Sequence, residues 1–273
     1  MTKPKQGVPP DGYDAQKVAA ALLTLIETGD LSPGDRVPTT AALAEQYGVN
    51  KNTASKAVVQ LKQTGVLSGL AGGSTWVRVP PPHVQRRNVR YHAEKSAVKA
   101  SESERSTNGV SEVDSGIPLQ DLHEDGVDYA VVEAPAEICE ALDLPVGSRV
   151  LRRTYTRRHA AKAGVSRSTS YIPYELVSSN PDLLDPSREP WPGGTMHQLY
   201  TVGIELDRIV DHVTASMPTL DEIREYDIPP GVPVVRIRKV SFSTADQPVE
   251  VSEIPVPADR IELVYTTQLE RWK

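Results

Sequence analysis

The sequence is poor in cysteine. Cys139 stands alone among 273 residues, which excludes a disulfide framework and a thiolate metal cluster and fits a reducing compartment. Long hydrophobic runs are missing too. The longest, Val18 to Ile26, covers nine residues and is interrupted by Thr24, against the roughly 20 needed to cross a bilayer. The opening MTKPKQGVPPDGYD has no apolar stretch behind its lysines and is not expected to act as a secretory signal. No glycine-rich phosphate loop follows a strand pattern, which argues against a P-loop or Rossmann unit. The six histidines are scattered, with no helical i, i+3 or i+4 pair to hold a metal, and there is no Gly-x-Ser-x-Gly elbow. What remains is globular: 38% apolar and 24% charged residues, enough for one large domain or two ordinary ones. The expectation is a cytoplasmic protein without membrane, metal or cofactor.

Apolar positions Val18, Leu22, Leu25 and Ile26 mark one face of a helix within Asp14–Thr28, ended by Gly29. Pro38-Thr39 opens a second helix that buries Leu43, Ala44 and Tyr47 and closes at Gly48. Asn50 caps a third, with Ala54, Ala57, Val58 and Leu61 on one face and Gly65 just past its end. Val66 to Ser68 and Thr75 to Val79 are expected to pair as a hairpin around 70–74. The order is helix, helix, turn, helix, two-stranded wing, within a first domain of residues 1–80.

Residues 81–126 open on prolines and turn to Ser, Glu, Lys and Asn with little periodicity, the pattern of a linker, with one or two helical turns expected around Tyr91–Lys99 and no core. From 127 to 273 apolar alternation returns, and a weak repeat appears. A helix over Glu137–Leu142, then Asp143-Leu144-Pro145-Val146-Gly147, leads to a strand Arg149–Arg157. A helix over Leu220–Tyr226, then Asp227-Ile228-Pro229-Pro230-Gly231, leads to a strand Pro233–Phe242. Each returns through a hairpin into strands Arg167–Ile172 and Val249–Ile254. Helices with antiparallel strands and no βαβ alternation predict an α+β domain.

The net charge of −6 divides unevenly. Residues 1–79 carry eight basic and six acidic side chains, net +2, and the rest is net −8. Lys51, Lys56 and Lys62 lie on the third helix with no acid, and its polar face Lys51, Asn52, Ser55 and Lys56 suits base edges and phosphates. A solvated surface helix would look similar in isolation, but here the helix belongs to a three-helix unit with a wing. Arg86, Arg87 and Arg90 follow, and are expected to trail along phosphates.

The run Tyr13–Val79 resembles the winged helix-turn-helix of GntR-type regulators. The resemblance rests on Leu31-Ser32-Pro33-Gly34-Asp35-Arg36-Val37-Pro38, Leu43-Ala44-Glu45-Gln46-Tyr47-Gly48-Val49-Asn50-Lys51-Asn52-Thr53 and Leu61-Lys62-Gln63-Thr64-Gly65-Val66-Leu67. It implies DNA contacts from Thr39, Asn50, Lys51, Asn52, Thr53, Ser55 and Lys56, with Gly72 and Thr75 in the wing. Ala41 and Ser55 stand where the family usually has arginine.

Residues 127–273 resemble the UTRA effector domain of the HutC branch, with an antiparallel, chorismate-lyase-like sheet. The runs that carry this are Ala134-Pro135-Ala136-Glu137-Ile138, Ser170-Tyr171-Ile172-Pro173, Pro192-Gly193-Gly194, Ala215-Ser216-Met217-Pro218-Thr219 and Gln247-Pro248-Val249-Glu250-Val251. The family resemblance implies a small anionic metabolite, a phosphosugar or carboxylate, anchored at the positions of Tyr155 and Arg157; strand alternation puts Arg153 on the same face, with Ser168, Ser170 and Glu250 nearby. The arginine-rich strand equally fits a charged sheet edge, and Glu250 a partner for Arg236 or Arg238. Cys139 is expected to pack in a core rather than react.

The expectation is a homodimeric transcription regulator, by family habit a repressor, that binds a pseudo-palindromic double-stranded operator and is not an enzyme. Two alternatives stand beside it: an architectural DNA-binding protein that senses nothing, and a chorismate-lyase-like enzyme.

Overall fold

A computed structural model describes residues 12–69, 73–81, 83–106, 124–158 and 165–270, apart from the side chains of 124, 125, 157, 158, 165 and 166. The chain divides into two compact units, Met1–Pro80 with Ile228–Val232, and Pro81–Asp227 with Pro233–Lys273. Among the described residues, no helix is long and apolar enough to cross a membrane.

The first unit is built from locally capped helices. Asp14 accepts from the Lys17 amide at 2.8 Å and starts α1 (Ala15–Glu27). Thr39 Oγ1 accepts from the Ala42 amide at 3.2 Å and starts α2 (Thr40–Tyr47). Gly48, at φ 66°, takes the left-handed turn that a residue with a Cβ resists. Asn50 Oδ1 then accepts from the Thr53 amide at 2.8 Å and starts α3 (Lys51–Gln63). Val18, Leu22, Leu43, Tyr47, Ala54, Val58 and Leu61 form the shared core, as their helical spacing requires. The wing is shorter than the sequence suggests: β1 (Leu67–Ser68) pairs antiparallel with β2 (Trp76–Val77), and Leu67 and Val77 close the core. This is a winged helix-turn-helix.

The segment expected to be a linker is partly folded. β3 (Val84–Arg87), α4 (Arg90–Ala97) and α5 (Glu102–Arg105) lie within it, and α4 buries Arg90 and Glu94. The buried positions of α4 are charged, so the segment reads as solvated although Tyr91 and Val98 pack into the core of the second unit.

That unit is α+β. Its sheet comprises β4 (Glu124–Glu133), β5 (Arg149–Arg158), β6 (Val165–Pro173), β7 (Leu206–Ser216), β8 (Val234–Ser243) and β9 (Pro248–Pro257), all antiparallel in the order β4-β5-β6-β9-β8-β7. The sequence repeat is visible in that order. A helix, α6 (Ala136–Ala141), joins β4 to β5, and its counterpart, numbered α9 (Leu220–Tyr226), joins β7 to β8. The hairpins β5-β6 and β8-β9 then meet at the centre, where Ser170 pairs with Ser252. Asp143 and Asp227, after the two helices, both sit at positive φ, 52° and 48°. Between β6 and β7 lie α7 (Tyr174–Val177) and α8 (Gly194–Thr201), and β10 (Ile261–Val264) pairs in parallel with β3.

One sheet face packs Leu151 and Ile172 against Val177, Met196 and Leu199. The other packs Val150, Val240 and Val251 against Ile138 and Cys139 of α6. The cysteine is buried, with its Sγ 3.6 Å from the Ala134 carbonyl oxygen, so packing is its role.

Candidate functional site

On α3 the apolar side is consumed by the core, which turns Lys51, Asn52 and Lys56 outward into solvent and leaves Thr53 and Ser55 half-buried. Lys51 and Lys56 make no ion pair among the described residues. Lys62 is different: its ammonium donates to the Gly69 carbonyl at 3.1 Å, tying the helix to the wing. Thr39 and Asn50, expected at the DNA surface, each commit a side-chain oxygen to capping, of α2 and α3 respectively. Thr75 is half-buried and its carbonyl accepts from the Val37 amide at 2.8 Å. Gly72 lies outside the described residues. The result is a short cationic and amide-bearing helix end, a geometry suited to a major groove.

The arginines after the wing do not add to it as expected. Arg86 is nearly buried and pairs with Asp211 at 3.3 Å while donating to the Tyr91 hydroxyl at 2.7 Å. Arg90 is 5% exposed. Arg86 holds β3 to the sheet and Arg90 donates to the Tyr91 hydroxyl at 3.1 Å, which leaves Arg87 as the exposed member of the three.

The second site is a row of polar side chains across the whole sheet. Strand register places Tyr129, Arg153, Ser170, Ser252, Lys239 and Asp211 directly opposite one another over six strands, on one face. Glu250 joins them. Arg153 is 1% exposed and donates to Ser170 Oγ at 2.9 Å, Thr195 Oγ1 at 3.2 Å, Glu250 Oε1 at 3.2 Å and Gln198 Oε1. Glu250 also takes Lys239 Nζ at 2.8 Å, Ser241 Oγ at 3.0 Å and Ser252 Oγ at 3.2 Å. Burial alone would raise its pKa, but Lys239 and Arg153 outweigh burial and hold the carboxyl at about 2. Burial pulls the Arg153 guanidinium down, and the surrounding phenols and carboxylates more than reverse this.

Tyr155 stands opposite Ser168 and faces the same way as Arg153. Its hydroxyl is 2.9 Å from that of Tyr129 and 3.0 Å from Glu189 Oε1. Burial pushes both phenols up, Tyr129 to about 12, so they stay protonated donors. Arg157 pairs through its backbone with Ser166, and its side chain lies outside the described residues. Arg153, Tyr155, Ser170 and Glu250 are therefore gathered around one point, and Ser168 is one step along the strand. Arg236 and Arg238, candidate partners of Glu250, instead pair with Glu222 and Glu253.

Tyr129, Glu189, Thr195, Gln198 and Lys239 belong to this cluster without having been expected there. Period-2 alternation around 127–131 points to Tyr129. Glu189 and the α8 residues come from a connection whose sequence has no period to read. Glu94 of α4 also reaches in: its carboxylate accepts from the Met196 amide in the first turn of α8 at 3.4 Å, and burial pushes it up to about 7.

These features meet in known proteins. Residues 14–77 match the family "Bacterial regulatory proteins, gntR family" and residues 123–262 match "UTRA domain". An HTH-type transcriptional regulator of Streptomyces coelicolor is 28% identical over 239 residues, covering 86% of this chain and 85% of that one. The "Probable fructoselysine utilization operon transcriptional repressor" of Escherichia coli K12 is 26% identical over 259 residues, covering 93% and 96%. A crystal structure of a GntR-family transcriptional regulator superimposes with a TM-score of 0.67 at 25% identity, covering 94% of this chain and 98% of the other.

Fold and family matches together define a GntR-type DNA-binding domain joined to a UTRA domain. The chain belongs to the GntR family of bacterial regulatory proteins, in its HutC-like, UTRA-containing branch. It is a transcriptional regulator: GntR domains bind operator DNA and UTRA domains bind small-molecule effectors.

Proposed function

We propose that the protein is a cytoplasmic repressor that binds a pseudo-palindromic operator as a homodimer and releases it when a small anionic metabolite, a carboxylate or phosphosugar, binds beside Arg153. The observation that carries the DNA half is α3 itself. Its first two turns, capped by Asn50, present Lys51, Asn52 and Lys56 to solvent while the opposite side is locked in the core. Two such helices one turn of DNA apart would read an inverted repeat. The naming of the Escherichia coli relative as a repressor supports the sign of control.

Ligand control needs only a modest differential affinity. A coupling of about 1 to 3 kcal/mol changes operator affinity about 5- to 150-fold. Sedimentation of the protein on a selected duplex is expected to give two chains per duplex, and one chain per duplex would overturn the dimeric reading. Titration with phosphosugar and carboxylate pools is expected to weaken the complex.

A second reading is favoured by one observation, that both terminal nitrogens of Arg153 are already engaged, by Glu250, Ser170, Thr195 and Gln198. In it the protein binds DNA without sensing, and no pool changes operator affinity.

A further inference from the structure

We infer that Glu189 is an intramolecular stand-in for the effector: its carboxylate occupies the subsite that takes the effector's own anionic group, so that ligand and Glu189 compete. The inference rests on the reading that this domain senses a small anion, and says where and against what that anion binds.

Glu189 belongs to the connection between β6 and β7, immediately before the turn into α8, and not to the sheet. Its Oε1 is nevertheless the meeting point of three side-chain donors from three elements. Tyr129 of β4 donates to it, Tyr155 of β5 lies at 3.0 Å, and Gln198 Nε2 of α8 donates at 3.0 Å. Each phenol has one proton, so the Tyr129–Tyr155–Glu189 triangle contains two hydrogen bonds at a time. A carboxylate accepts at every lone pair, and a cradle of convergent donors is what recognises one. The cradle is built on rigid sheet and helix; its occupant is on a loop.

Two further observations point to exchange. The remaining oxygen, Oε2, is held at 2.8 Å by the amide of Trp191, only two residues along the chain. That bond moves with the loop and does not anchor it to the sheet. In addition, Arg153 lies beside the cradle, its guanidinium carbon 5.9 Å from the centre of the Tyr155 ring, and its buried Nε has no acceptor among the described residues. A phosphate has more acceptor oxygens than the Glu189 carboxylate, and a ligand carboxylate, with no oxygen held by the Trp191 amide, can turn both of its oxygens to the site. Either can take over the phenols and Gln198 and also offer Arg153 the acceptor it lacks.

Removing the stand-in should open the subsite to simple anions. The test uses the full chain with Glu189→Ala, with acetate and inorganic phosphate as probes and chloride at matched ionic strength as control. Binding to the folded state alone should raise the unfolding temperature of the variant by a few degrees in acetate or phosphate, with no comparable rise in the unsubstituted protein. Adding Tyr129→Phe and Tyr155→Phe should abolish the rise. No rise in Glu189→Ala, or an equal rise in the unsubstituted chain, would overturn the inference. Should Glu189→Ala fail to fold, Glu189→Gln keeps the side chain's size, removes its charge and leaves one accepting oxygen where the carboxylate has two. Calorimetric titration of that variant with phosphate should show binding that the unsubstituted chain lacks, and its absence would equally overturn the inference. Operator binding is measured separately on the unsubstituted chain. If phosphosugar and carboxylate pools leave that binding unchanged, sensing is overturned while the cradle result stands on its own.

Discussion

Arg153 and Glu250 form an ion pair at 3.2 Å in which the two side chains expose 2% and 1% of their surface. Removing two charges from water is costly, and the pair is held because Lys239, Ser170, Ser241 and Ser252 complete the coordination of the carboxylate. Breaking such a pair from one side leaves a buried charge incompletely matched.

Arg153→Ala is therefore expected to destabilise the second domain by about 3 to 5 kcal/mol. The double variant Arg153→Ala, Glu250→Ala should cost less than the sum of the singles, because each single leaves the other charge behind. Urea unfolding of all three would show it. A simple sum would contradict the coupling.

Glu94 makes stability depend on pH in a defined direction. Burial raises its carboxyl to about 7 from an ordinary 4.5, against the pull of Lys239 and Arg90 and with Glu250 adding to the rise. The folded state then holds this proton more tightly than the unfolded state does. Stability falls as pH rises between those two values, by about 3 kcal/mol at 1.36 kcal/mol per pH unit. Glu94→Gln should remove that part of the slope, and should stabilise the protein more at a pH of about 8 than at about 5. An unchanged slope in denaturation midpoints would refute the assignment. Glu250 runs the other way: its carboxyl is held at about 2, so its contribution is present above the ordinary carboxylate range and is lost as pH falls toward 2.

Asn50 separates a capping role from a reading role. Asn50→Ala removes the acceptor for the Thr53 amide and is expected to cost about 1 kcal/mol of stability. Asn50→Ser keeps a cap and should recover most of it. Operator affinity that falls in the serine variant at full stability would show that the amide also meets DNA.

Lys51 and Lys56 should act through phosphates or base edges. Each phosphate that is no longer neutralised by a lysine reduces the slope of log K against log salt by about 0.9. The Lys51→Ala, Lys56→Ala variant is thus expected to bind more weakly with a shallower slope, while its thermal unfolding is unchanged because both side chains are exposed. An unaltered slope would remove them from the interface.

The first domain is legible in the sequence because its determinants are local. Caps at Thr39 and Asn50, breakers at Gly48 and Gly65, and the helical spacing of Leu43, Tyr47, Ala54 and Leu61 all lie within a few residues of what they decide. The repeat in the second domain is legible for the same reason, as helix, Asp-x-Pro-x-Gly turn and strand. The row from Tyr129 to Asp211 is not, because it exists only once six strands are in register. Arg153, on a strand with several arginines, reads equally as a solvated edge until its partners Glu250 and Gln198 arrive from elsewhere in the chain. A short helix around Tyr91–Lys99 is legible, but its packing is not, since Arg90 and Glu94 break the apolar period that would have marked a packed helix.

On this reading α3 gives the regulator its sequence specificity. Selection of genomic fragments by the purified protein, with the Lys51→Ala, Lys56→Ala variant run in parallel, tests it directly. The unsubstituted protein is expected to recover a discrete inverted repeat that the variant does not. Equal recovery by both, or no preferred fragment at all, would contradict it.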